Sequence, residues 1–169
     1  MLCLAAPFGA RSADTRATPE NGAREIEWDT LLPAKERDHY TPAPPSPIHD
    51  YLGEGDLAAL QTGSFDANPE LNGVRVRLPG FVVPLERAAD GRISEFLLVP
   101  YFGACIHVPP PPPNQIVYVK MRAGAGLTSI EDAQWVTGTL HTSVNRSALG
   151  SAAYLLDGER LEPYQAPHS

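Results

Sequence analysis

A thiol and an imidazole stand two residues apart at Cys105 and His107, and five consecutive prolines, Pro109 to Pro113, follow almost at once. In an extended segment, side chains at i and i+2 point to one side. Cys105 and His107 could therefore reach a common cation, with Ile106 turned away. Thiolate sulfur with imidazole nitrogen favours Zn²⁺, with Cu⁺ as the alternative, over Mg²⁺ or Ca²⁺. Two ligands leave such a site incomplete. His141 is the first candidate for the third, ahead of any Asp or Glu and of His49. An open three-ligand site suits a metal carrier or a catalytic zinc.

Two other chemistries use the same block. A thiol enzyme would take Cys105 as nucleophile, His107 or His141 as base and Asn114 as the orienting group. Such a base must lie within roughly 3–4 Å of the sulfur, whereas i and i+2 neighbours on a strand sit about 6–7 Å apart. The local pair is thus better placed to share an ion than a proton, which favours a non-enzymatic role. An interaction module would instead bury Cys105. It would present Tyr101, Phe102, the rod Pro109, Pro110, Pro111, Pro112 and Pro113, and the amides Asn114 and Gln115 to a partner. A polyproline helix of five residues is a stiff rod of about 15 Å with no internal hydrogen bonds, and it suits aromatic side chains on a partner.

Charge and composition narrow the field. The 169 residues carry a formal charge of -7 and no Lys/Arg cluster, so a phosphate backbone is repelled and nucleic acid is not expected as a partner. No run approaches the roughly 18 apolar residues of a membrane span. The first residues, Met-Leu-Cys-Leu-Ala-Ala-Pro-Phe-Gly-Ala-Arg-Ser-Ala, read as the clipped remainder of a secretory signal over residues 1–13. Once that is removed, Cys105 is the one cysteine left, with no intrachain disulfide partner.

The elements that must position the block read as mainly β. Residues 14–50 form a disordered, Pro-rich N-terminal arm, in which Glu25 to Pro33 is either a single helical turn or an extended segment docking onto the domain. Residues 51–165 form the β domain, opening with a short helix near Gly55 to Thr62. Val74, Val76 and Leu78 alternate with Arg75 and Arg77 as a half-buried strand, Pro79-Gly80 bends it, and Phe81 to Leu85 continue it. Asp90-Gly91 predicts a hairpin to a return strand over Ile93 to Val99. Further strands are expected over Gln115 to Met121 and Gln134 to His141, then a short helix over Ser143 to Gly150. A small hairpin turning at Asp157-Gly158 closes the chain. The expected fold is a small OB-like Greek-key barrel of about five strands with short helices and an irregular arm.

The block from Phe96 to Gln115, Phe-Leu-Leu-Val-Pro-Tyr-Phe-Gly-Ala-Cys-Ile-His-Val-Pro-Pro-Pro-Pro-Pro-Asn-Gln, resembles the signature of the DUF3299 family. The stretch Val76 to Leu85, Trp135-Val-Thr-Gly-Thr-Leu140, Ala153-Tyr-Leu-Leu and Glu25-Ile-Glu-Trp28 fit the same pattern, so the resemblance spans about residues 25–164. It implies an exported, periplasmic or lipid-anchored bacterial protein without an assigned activity. It further implies a role in zinc supply or beside an ABC permease in the envelope.

Overall fold

The computed structural model describes residues 22–39, 61–105 and 110–165. Its strands are β1 (Arg24–Glu25), β2 (Val74–Arg87), β3 (Ile93–Val99), β4 (Val117–Ala125), β5 (Gln134–Ser147) and β6 (Gly150–Pro163), with one helical turn α1 (Ala34–Arg37). They hydrogen-bond in the order β1-β2-β3-β4-β6-β5, and β5 pairs back onto β2. Five strands therefore close a mixed barrel, with β1 added at the side. The β4–β6 pairing is parallel and the other barrel pairings are antiparallel. This is the OB-like Greek-key barrel expected from the strand pattern.

Closure depends on β2 serving two partners. Val74 to Gly80 pair with β5, and Phe81 to Arg87 pair with β3. The change falls at Pro79-Gly80, where the sequence suggested a bend. The strand runs through it, and a Cβ at Gly80 would lie 2.8 Å from the Val99 carbonyl and 2.9 Å from Leu98 and Trp28. The Asp90-Gly91 hairpin forms as expected, with Ala88 and Arg92 closing it and Gly91 in the left-handed region at φ 82°.

The last third differs from expectation. No helix forms over 143–150, because β5 runs on to Ser147 and β6 starts at Gly150. Asp157-Gly158 is not a turn either. Gly158 lies within β6 opposite Gly138, beside a register shift at Thr137/Gly138. The Pro-rich end of the arm beyond residue 39, residues 55–60 of the helix expected over Gly55 to Thr62, and the signal-like stretch at 1–13 lie outside the described residues.

Alternating side chains divide the interior in two. Phe96 and Leu98 of β3 and Val117 and Val119 of β4 point into the barrel, where they pack with Leu78, Val136, Tyr154 and Leu156. The described arm belongs to this core: Ile26 and Leu31 are buried in it. Arg24–Glu25 adds to β2 as a parallel strand, and Trp28–Leu31 forms a 3-10 turn, so the arm is both extended and helical in part. The side chains of opposite parity, Leu97 and Val99 on β3, build a second cluster with Val83 and Ile116.

Candidate functional site

Cys105 lies in that second cluster. After β3 the chain turns through Tyr101, Phe102 and Gly103, and Gly103 and Cys105 both take positive φ, 84° and 65°. A left-handed cysteine is uncommon, because its Cβ crowds the backbone. The turn points the thiol inward, 1% exposed, among Val83, Leu97, Val99, Ala104, Ile116 and Ala152. Burial in this apolar setting pushes the thiol up to about 12, since a thiolate there would lack solvation.

His141 does not join it. The imidazole stands on β5 across from Leu155, half-exposed, with its Nε2 3.4 Å from the Asp157 carboxylate. Far from ending its strand, His141 sits mid-strand on the β5–β6 ribbon. His107, the ligand adjacent to Cys105, lies outside the described residues, as does Pro109. Among the described residues, no group of three or more His, Cys, Asp or Glu is placed to hold a metal. Cys105 thus lies in an apolar cluster, while His141 stands beside Asp157 on another element.

The proline rod is used internally. Pro110, Pro111 and Pro113 are buried and Pro112 is half-buried. Prolines suit this position, because they bring no N–H that burial would strand. The Pro111 carbonyl accepts from Gln61 Nε2 at 3.0 Å, and the same side chain brackets Ser151 through both its N–H and its C=O. The Asn114 and Gln115 amides are buried too and hold the arm. Asn114 Nδ2 donates to Glu36 at 2.8 Å and to the Asp66 carbonyl at 3.2 Å. Gln115 Nε2 donates to the Trp28 carbonyl at 3.0 Å and to the Asn114 carbonyl at 3.1 Å.

The bonds that complete this clasp are not legible in the residue pattern. Tyr154 reaches the arm from the barrel core, Asn68 Nδ2 donates to the Thr30 carbonyl, and Trp28 Nε1 donates to the Pro79 carbonyl at 2.7 Å. Each is a side chain bonding to a backbone group distant in sequence, a pairing that leaves no periodic signal. What the block leaves outside is its aromatic tip. Phe102 is 46% exposed and its ring stands 6.0 Å from Phe81, tilted by 59°, with Tyr101 half-buried beside it.

The model of the family described as protein of unknown function (DUF3299) matches residues 28–163. A crystal structure of a DUF3299 family protein from Pseudomonas aeruginosa PAO1 is similar to this chain, with 40% identity and a TM-score of 0.70. The match covers 86% of this chain and 99% of that one. No curated protein matches. No helix among the described residues is long and apolar enough to cross a membrane. With the family match running from Trp28 of the arm through the proline rod and the whole barrel, the chain belongs to the DUF3299 family.

Proposed function

We propose that this chain is a non-enzymatic, exported interaction module that acts on a protein partner in the periplasm, an ABC permease ectodomain being the first candidate. One observation carries the reading. The signature block spends its thiol, its described prolines and its amides on its own fold, and leaves Phe102 exposed, leaning on Phe81. An exposed aromatic on a rigid turn is the kind of anchor that interfaces favour, since it buries a large area at low entropic cost. The apolar, small-residue N-terminal stretch supports export.

The competing reading is a zinc carrier built on Cys105, His107 and His141. It requires a thiolate at Cys105, and the apolar packing of that side chain weighs against one. A thiol enzyme meets the same objection, because the nucleophile must ionise near neutral pH.

The test is capture of partners from solubilised envelope by the wild-type protein and by Phe102→Ser, alongside Cys105→Ser. The proposal expects a specific partner held by wild type and by Cys105→Ser but lost by Phe102→Ser, with folding unchanged. A partner retained equally by Phe102→Ser would remove the tip from the interface and end this reading.

A further inference from the structure

We infer that the segment following β3 is a resident occupant of the barrel's own ligand face. In OB barrels, ligands lie across the second and third barrel strands, between the first–second and fourth–fifth loops. Here those strands are β3 and β4, and the loops are residues 88–92 and 148–149. At the Val99 end of this face the outward-pointing side chains are apolar: Leu97 and Val99 on β3, Ile116 leading into β4, and Val83 from the neighbouring β2, whereas Glu95, Tyr118 and Lys120 make the other end polar. On an open groove the apolar side chains would be exposed. Leu97, Val99 and Ile116 are instead 0% exposed.

The chain itself covers them. Ala104 and Cys105 pack onto this floor, Tyr101 lies alongside, and Leu149 joins from the fourth–fifth loop. Beyond the turn the buried Pro110 lies by that same loop, where a Cβ on Gly150 would stand 3.5 Å from its ring. Gln61 fastens the return through Pro111 and Ser151. Two left-handed residues, Gly103 and Cys105, make the reversal sharp enough to press the turn inward. The Val99 end of the face that accepts oligonucleotides or oligosaccharides in other OB barrels is therefore filled from within, and Phe102 at the crest of the filling segment stands clear of it. This inference rests on the fold and its packing, not on the proposed partner.

Cys105 is a built-in reporter, because its thiol is reachable only if the segment lifts. The experiment is modification by a thiol reagent such as DTNB at pH 8 in a Cys3→Ser background, across sub-denaturing urea. Occupation predicts a rate about 10³-fold or more below that of the unfolded chain. That rate should rise with urea in parallel with global unfolding. Rapid modification, or slow modification indifferent to urea, would show the segment opening alone and would overturn the inference. A second variant replaces residues 101–112 with a short Gly-Ser turn. If it folds by far-UV circular dichroism it should bind ANS where wild type does not, and a folded variant that binds none would also overturn it. If it fails to fold, the thiol kinetics decide.

Discussion

The Tyr154 hydroxyl, rooted in β6, donates to the Leu31 carbonyl of the N-terminal arm at 2.5 Å and accepts from the Asn68 N–H at 2.6 Å. The side chain is 0% exposed, so these bonds form away from water. One phenol thus ties three separated segments together, and burial raises it to about 12. It answers the question of how an arm with only two strand residues is held to the barrel.

Tyr154→Phe should therefore cost more than an average hydrogen bond. It strands a backbone C=O and a backbone N–H that were paired with the hydroxyl, and leaving such groups unsatisfied costs about 1–3 kcal/mol. The urea midpoint should fall by an amount equivalent to about 2 kcal/mol, with an unchanged slope. A loss below about 0.5 kcal/mol would mean that water replaces the phenol and that the clasp is not sealed.

Gly138→Ala should be among the most damaging small substitutions. Its Cβ would lie 2.3 Å from the Asp157 carbonyl and 2.5 Å from Leu156 Cδ2, where β5 and β6 press together. Backbone cannot give way as a flexible side chain does, so the cost should reach about 2–3 kcal/mol or prevent folding. Gly126→Ala is the control, because nothing lies within 4 Å of a Cβ there. Equal thermal stability of the two variants would contradict the close approach of the strands.

These positions show how far the sequence could be read. The β2–β3 hairpin was legible because Val74, Val76 and Leu78 alternate and Asp90-Gly91 is a turn with a mechanism. The barrel followed from the number and spacing of strands. Ser143 to Gly150 misled because the β5–β6 ribbon there exposes Ser143, Val144 and Arg146, so the pattern carries no apolar alternation. Gly158 misled because a glycine demanded by tight packing looks like a glycine demanded by a turn. A Cβ at that position would lie 2.1 Å from Met121 Sδ. In the candidate site, the Cys-x-His spacing said nothing of direction. The left-handed φ at Cys105 turns the thiol into the second cluster, and no local pattern announces that choice.

Stability should depend on alkaline pH through Cys105. The folded state holds this thiol protonated up to about 12, against 9.0 for the ordinary value. Between those values the unfolded chain has lost a proton that the folded chain keeps, so stability falls as pH rises. At pH 10 the loss from this group is about 1 kcal/mol relative to pH 8. Tyr154 and Tyr118, both raised to about 12, add to the loss at higher pH. Cys105→Ala in a Cys3→Ser background should flatten the fall of the urea midpoint between pH 8 and 10. An unchanged slope would show that the Cys105 thiol ionises as easily in the folded protein as in the unfolded chain.

Zinc separates the interaction module from the metal carrier. A thiolate ligand must lose its proton on binding, and burial among apolar side chains makes that anion costlier to form at Cys105 in this packing. For zinc to be bound there, the turn from Tyr101 to Cys105 would have to leave Leu97, Val99 and Ile116, and re-exposing that surface would offset much of the metal's contribution. Titration of reduced, metal-stripped protein should therefore show no tight 1:1 uptake that depends on Cys105. His141→Ala should change nothing beyond its own contact with Asp157. Tight stoichiometric binding abolished by both Cys105→Ser and His107→Ala would reverse the conclusion. It would make the buried turn the closed state of a metal site, and would predict that zinc increases the reactivity of the surface it uncovers to ANS.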